Sequence, residues 1–298
     1  MSRLYLDSFN IASKSKEVDF ILSWDPKMTM TCYSGTNVYP FKLFPEKELE
    51  HIEFAPITIF YGGNGSGKST LLNIISEKLG LDRSAPFNNT PFFEEYLKFC
   101  DYELTFGKNP PKGSRIITSD DVFDFLLDLR ALNDGVDKRR EELFDEYMDA
   151  KYNSLDFKMR SIEDLEELKK RNEARHRTKS SYVSRRMPKN VDGRSNGESA
   201  LAYFTDKIKE DALYLLDEPE NSLSAQFQQE IADFIEESVR FYNCQFIIST
   251  HSPFLLSLKG AKIYDLDAAP VKVKPWYELE NIKRYFELFN KHKNDFLK

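Results

Sequence analysis

The chain has 298 residues, enough for one or two domains with a sizeable buried core. Hydrophobic residues at 41% and aromatics at 14% exclude disorder as its main description, and 13 Pro with 12 Gly exclude a fibrous repeat. With 42 basic and 49 acidic residues the net charge is -7, so the chain is no generic polyanion binder, and any nucleic-acid contact would need a local patch. Cys32, Cys100 and Cys244 are odd in number, widely spaced and without a CxxC pair, so reduced thiols in a cytoplasmic protein are expected. The first residues carry no apolar h-region, and no window approaches 18 uninterrupted apolar residues. Neither a secretory signal nor a membrane span is expected.

From Leu4 to about Tyr61 the chain reads as short β-prone pieces broken by Pro26, Pro40, Pro45 and Pro56, ending in the buried strand ITIFY, Ile57 to Tyr61. A glycine-rich turn follows. Apolar residues at Leu71, Leu72, Ile74, Ile75 and Leu79 then predict a helix that Gly80 ends. Between about Thr118 and Leu168 acidic residues dominate, and Leu155, Met159, Ile162 and Leu165 fall three or four apart, predicting charged surface helices.

Residues 169–189 invert the charge, with nine Lys or Arg against the single acid Glu173. A solvated, flexible segment and a phosphate-tracking patch both remain open there. From Glu198 an α/β rhythm returns: a helix to about Lys209, a strand from Ala212 to Leu216, a helix around Gln226 to Arg240, a strand from Gln245 to Thr250, the strand AKIYDL, and a charged C-terminal helix. The expected parts are 1–117 with the glycine loop, 118–190 as an inserted helical and basic lobe, and 191–298 as the second part of the α/β core.

GGNGSGKS fits GxxxxGK[ST] between a predicted strand and a predicted helix. Gly62, Gly63, Asn64, Gly65, Ser66 and Gly67 let the backbone curl so that its amides point at phosphates, helped by the positive end of the following helix. Lys68 is placed for the β and γ phosphates, Ser69 for Mg²⁺, and Thr70 as a neighbouring phosphate donor. LYLLDE is an apolar strand ending in two carboxylates: Asp217 as the Mg²⁺ partner and Glu218 as the general base that polarises water. His251, in STHSP at the end of another strand, is placed to bond a γ phosphate or the attacking water.

Together these motifs resemble the ATP-binding-cassette (ABC) superfamily, in particular its soluble RecF-like, Rad50-like and SMC-like branch, whose compact bacterial members are often grouped as AAA-family ATPases. The resemblance spans Gly62 to His251, about two thirds of the chain, and implies an ABC-type ATPase core with an N-terminal β-rich portion and an inserted helical lobe. In RSNGES, Ser195, Asn196, Gly197 and Glu198 stand where that family carries the S-G-G-E of its signature. There the signature of one subunit closes over the γ phosphate of the other, which implies a homodimer around two ATP molecules. Glu220 to Ser224 is similar to the family's D-loop, and His251 to its switch histidine.

Arg194 replaces the signature's usual leucine, and Asn196 stands for one of its glycines. No glutamine lies between Ser69 and Gly197 to serve as the Q-loop side chain, and Ser119 and Asp120 are the candidates to replace it. Phe41 or Phe44 is a candidate adenine platform. The reading is an ATP-hydrolysing, Mg²⁺-dependent cytoplasmic switch that couples nucleotide state to a protein partner. The alternative is a RecF-like or Rad50-like DNA-binding ATPase of repair or defence. The distance from Phe60 to Gly197 is too short for long coiled-coil arms, and a transporter subunit is disfavoured by the missing glutamine.

Overall fold

A computed structural model of the chain describes residues 4–23, 38–107, 109–152, 165–187, 196–221 and 223–296. Contacts divide the chain into two units, residues 1–122 with 196–298, and residues 123–195. The first is built on a six-stranded sheet in the order β5-β6-β7-β3-β8-β9. Its strands are β3 (Ile57–Tyr61), β5 (Arg115–Thr118), β6 (Leu213–Asp217), β7 (Gln245–Ser249), β8 (Lys262–Asp265) and β9 (Lys272–Val273). All pairings are parallel except that of β8 with β9. Parallel strands covered on both faces read as unbroken apolar runs, and every residue of ITIFY and of QFIIS is buried.

Register then decides what meets at the carboxyl end of this sheet. Thr118 pairs with Asp217, Asp217 with Ser249, Phe60 with Ser249, and Tyr61 with Asp265. The last residues of five parallel strands therefore stand in one row, the edge at which open α/β sheets carry ligands. After β3 the chain makes its glycine turn and enters α2 (Lys68–Leu79). Leu71, Leu72, Ile74, Ile75 and Leu79 are buried as the spacing predicts, and Gly80 closes the helix in the left-handed region, φ 64°, with its N–H on Glu77 O and Ser76 O.

The N-terminal part contributes β1 (Leu6–Asn10), β2 (His51–Glu53) and β4 (Asp101–Leu104), an antiparallel sheet in the order β2-β1-β4. It also holds the helices α1 (Lys14–Ser23) and α3 (Phe93–Lys98). Gln245, fully buried at the start of β7, fastens β1 in place: its Oε1 accepts from the Tyr5 and Leu6 amides at 2.8 and 2.9 Å, and its Nε2 donates to Leu6 O at 2.9 Å. One apolar cluster runs from β1 through Phe41, Phe44 and Phe93 to α2 and the central sheet. Phe41 stacks on Phe20 at 4.6 Å, and both Phe41 and Phe44 are core residues, which leaves neither ring face open to a base.

Among the described residues this unit also holds α7 (Asn196–Lys207), α8 (Ala225–Phe241), α9 (Pro253–Leu256) and α10 (Glu280–Lys291). Helix α10 leaves Phe286, Leu288 and Phe289 exposed.

The described part of the second unit is helical. Helix α4 (Ser119–Tyr152) supplies it from Phe123 onward, followed by α5 (Leu165–His176) and α6 (Lys179–Ser184). The described part of the basic stretch, residues 169–187, is largely helical and has a small core: Ala174, Tyr182 and Val183 are buried with Leu143, Tyr147 and Ala150. Its single acid holds it together, with Glu173 Oε1 at 3.2 Å from Arg177 Nε and Oε2 at 2.7 Å from Arg186 Nη2. The guanidinium of Arg186 lies 3.8 Å over the Tyr182 ring. The helical spacing read from Leu155, Met159 and Ile162 lies outside the described residues, as do Cys32, Arg194 and Ser195.

Cys100 and Cys244 are free, buried thiols, pushed up to about 12 and about 11 by burial. Among the described residues no helix is long and apolar enough to cross a membrane.

Candidate nucleotide site

The glycine turn is shaped by close approach. A Cβ on Gly62 would stand 2.5 Å from Ser66 Oγ, because the loop closes on itself through Ser66 N–H to Gly63 O at 3.2 Å. Gly67 precedes α2 with φ 99°, a left-handed conformation that turns the chain into the helix at no steric cost to glycine alone. Asn64, Gly65 and Ser69 are exposed, while Lys68 is buried. The loop has a fastening that the motif does not announce: the Gly63 amide donates to both oxygens of Asp267, at 3.0 and 2.9 Å, from the turn after β8.

Lys68 Nζ donates to the carbonyls of Gly62 at 2.7 Å and Gly63 at 3.1 Å, and stands 3.5 Å from Glu218 Oε1. Ser69 Oγ donates to Asp217 Oδ1 at 3.0 Å, and the Ser249 hydroxyl donates to the same oxygen. Asp217 is pushed above the ordinary carboxylate range, first by burial and further by the Glu218 charge; the hydroxyls of Ser249 and Ser69 and the Lys68 ammonium oppose this. Thr70 Oγ1 accepts from the Tyr39 hydroxyl at 3.0 Å.

Glu218 follows β6 with φ 48°, a left-handed conformation costly for a residue with a Cβ. Two bonds hold it there: its amide donates to Ser249 O at 3.0 Å, and its Oε2 accepts from Asn221 Nδ2 at 3.0 Å. Next along the chain, Glu220 is buried and accepts at Oε1 from the His251 amide at 2.9 Å, with His251 Nδ1 3.5 Å from the same oxygen. The imidazole itself is half exposed.

Lys68, Ser69, Asp217, Glu218 and His251 therefore come together at one sheet edge. Gly197 and Glu198 head α7, where Gly197 is buried under the Phe227 ring of α8. Ser195 lies outside the described residues, and so does Ser222 of the segment Glu220 to Ser224. Of the Q-loop candidates, Asp120 is exposed and Ser119 follows the residue that pairs with Asp217. Their neighbour Asp121 is the engaged acid, accepting from the Thr118 amide at 2.7 Å, the Thr118 hydroxyl at 2.9 Å and the Ala85 amide at 2.8 Å. Ser249 and Asp267 escaped the sequence reading, and Glu220 and Asn221 entered it only as part of the segment similar to a D-loop. Ser249 lies within two residues of His251, whereas nothing near Asp267 marks it.

Among the described residues no three or more His, Cys, Asp and Glu side chains group to hold a metal. Ser69 and Asp217 are a hydroxyl and one carboxylate, 3.0 Å apart, with the acid desolvated. That hard-oxygen pair fits Mg²⁺, which takes few protein ligands and fills its shell with phosphate oxygens and water.

Fold and site define the class: an α/β P-loop NTPase fold, with a second unit whose described part is helical. The AAA_21 family model, "AAA domain, putative AbiEii toxin, Type IV TA system", matches residues 190–257, which include α7, β6, α8 and β7. No curated protein matches the chain in sequence. Among solved structures, the SMC head domain of Pyrococcus furiosus bound to the C-terminal domain of ScpA is similar at 14% identity and TM-score 0.45, covering 97% of this chain and 99% of that one. The SMC head domain from Thermotoga maritima is similar at 15% identity and TM-score 0.36, covering 76% and 92%. A dimeric ATP-binding cassette with ADP and phosphate bound is similar at 15% identity and TM-score 0.36, covering 78% and 91%. At these values the likenesses carry no argument about activity.

Proposed function

We propose that the chain binds and hydrolyses ATP with Mg²⁺ in the cytoplasm, pairing with a second copy around two nucleotides and passing the nucleotide state to a protein partner. The observation that carries this reading is the convergence of Lys68, Ser69, Asp217, Glu218 and His251 on one sheet edge from three places in the chain, the start of α2, the end of β6 and the loop after β7. Gly62 to Gly67 cradle the phosphates through backbone amides. Lys68 exchanges its loop carbonyls and Glu218 for the β and γ phosphates, which frees the Glu218 carboxylate to accept a proton from the attacking water. Ser69 and Asp217 would hold Mg²⁺, whose chemistry is to neutralise charge on the phosphate oxygens, and Thr70 donates beside them. His251 bonds the γ phosphate or the water.

Ser195, Gly197 and Glu198 of one copy close over the nucleotide of the other, in keeping with the resemblance. The exposed aromatic side chains of α10 speak for a partner protein. DNA is the weaker reading, because Arg177 and Arg186 are engaged by Glu173 and Lys179 stacks 4.1 Å over the Phe144 ring. Release of phosphate from Mg·ATP by the purified chain, with and without DNA, tests the proposal. Turnover that is lost with Lys68→Ala and indifferent to DNA supports it, whereas no turnover, or turnover that requires DNA, counts against it.

A further inference from the structure

The reaction proposed above uses Glu218 and His251 and leaves Glu220 without a task, yet this carboxylate is held more tightly than either. It is 5% exposed. Its Oε1 accepts from the Thr250 hydroxyl at 2.6 Å, the His251 amide at 2.9 Å and the Ser252 amide at 3.2 Å. The loop it grips is fixed from the other side, since Ser252 Oγ donates to Gln228 Oε1 at 2.7 Å and Gln228 Nε2 donates to Leu223 O at 2.9 Å. The other oxygen, Oε2, is buried and has no hydrogen-bond partner. A buried carboxylate oxygen left unbonded is costly, and such exceptions call for a reason.

The imidazole supplies one. His251 Nδ1 lies 3.5 Å from Oε1, at the outer limit of a hydrogen bond, on a side chain that is still 46% exposed and free to turn. Active-site hydrogen bonds that are long in the ligand-free protein tighten when the reactants arrive. We propose that Glu220 is the positioning residue of His251: when the ring turns in, the unbonded Oε2 takes the Nδ1 hydrogen, selects that tautomer, and leaves the Nε2 lone pair facing the reacting edge. A neutral imidazole carries its hydrogen on one nitrogen only, so the acceptor behind it determines which nitrogen accepts in front.

The same short turn also reaches Glu218. Asn221, next to Glu220, donates through Nδ2 to Glu218 Oε2 at 3.0 Å, and its amide donates to Glu218 O at 3.1 Å. Residues 218–221 thus hold the proposed base with one side chain and the histidine with the next. Displacing this turn would misplace both groups at once.

The functional half of the inference rests on the reading of His251 above; the tautomer half does not. The test uses the full chain labelled with ¹⁵N-histidine, which has only four histidines, with the His251 resonances identified by their absence in His251→Asn. At a pH where the ring is neutral, long-range ¹H–¹⁵N couplings are expected to show the Nδ1–H tautomer in the wild type. In Glu220→Gln the amide Oε1 can still accept from Thr250 and the two amides, while its NH₂ takes the place of Oε2 as a donor. The imidazole must then present a lone pair at Nδ1, so the tautomer flips to Nε2–H. Turnover is expected to fall about 10–100-fold, by analogy with partners that orient a metal-bound histidine, with KM for ATP changed less than about threefold.

On top of His251→Asn the same substitution should add almost nothing, because a group acting through the histidine has nothing left to orient. If Glu220→Gln does not fold, Thr250→Ala serves instead: it removes one bond to Oε1, keeps the carboxylate charge, and should retain the Nδ1–H tautomer. An Nε2–H wild type, an unchanged tautomer in Glu220→Gln, or full additivity with His251→Asn overturns the inference. Absence of ATP turnover with the expected tautomers would instead refute the proposed function and leave the positioning contact standing.

Discussion

Gly197 stands where the resemblance would put a signature glycine, yet it has a reason to be glycine inside its own chain. A Cβ built there would lie 2.2 Å from Phe227 Cδ2 and 2.4 Å from Cε2, whereas carbon atoms rest about 3.5–4.0 Å apart. In Gly197→Ala the ring or the start of α7 must therefore give by more than about 1 Å, and overpacking of this kind costs about 1–3 kcal/mol. Remove the ring and the sign reverses: Asn196–Lys207 is a helix, and alanine is favoured over glycine in a helix by about 0.5–1 kcal/mol.

The assay is a double-mutant cycle in urea, followed by circular dichroism, over wild type, Gly197→Ala, Phe227→Ala and the pair. Gly197→Ala should lower the unfolding midpoint alone and leave it unchanged or raised in the Phe227→Ala background. An equal loss in both backgrounds would refute the argument that Phe227 dictates the glycine. It would also leave close approach by a second copy's phosphates as the remaining explanation.

Other parts of the chain give independent tests. Gln245→Leu strands the Tyr5 and Leu6 amides in the core, so it should cost about 3 kcal/mol and lower the melting temperature by several degrees; a neutral effect would show that β1 is not fastened by this side chain. Glu17 is buried, with one oxygen bonded to the Lys42 amide at 2.7 Å and the other unpartnered, and burial raises it above the usual carboxylate value. A raised folded-state value means the folded protein holds the proton longer than the unfolded chain, so its contribution is fully present at low pH and is lost as pH rises through that raised value. Glu17→Gln should therefore gain stability over the wild type on going from acid to neutral pH, seen in melting curves across that range; a gap that narrows as pH rises would contradict the assigned burial. Lys68→Ala should weaken ATP binding at least tenfold by calorimetry, and wild-type affinity in that variant would remove the lysine from the site.

Legibility followed the distance over which a residue's role is set. The turn and helix α2 were readable because the strand, the glycines and the 3.6-residue spacing lie within 25 residues, Ile57 to Gly80, and their roles are local. Asp217, Glu218 and His251 were readable as strand ends, and the parallel register then set them side by side. Helix α1 was not, because its buried position is the carboxylate of Glu17 while Val18 and Leu22 are exposed, which inverts the usual pattern. The fold of the basic segment depends on Glu173 reaching arginines four and thirteen residues away, which charge counting cannot show. Asp267 sits 204 residues from the amide it clamps and Glu220 acts on a loop 30 residues on, so only the sheet register discloses either. At 118–121 the sequence pointed to Ser119 and Asp120, and the side chain with three bonds is Asp121.

Glu218 is proposed as the base of an ATP-driven pairing of two chains. Glu218→Gln keeps the shape of the side chain and the phosphate loop but cannot accept the proton, so ATP should bind and stay. The measurement is its mass by light scattering in saturating Mg·ATP and in Mg·ADP. A dimer in ATP that returns to monomer in ADP is the predicted result. A variant that binds ATP by calorimetry yet remains monomeric in both nucleotides would contradict the account.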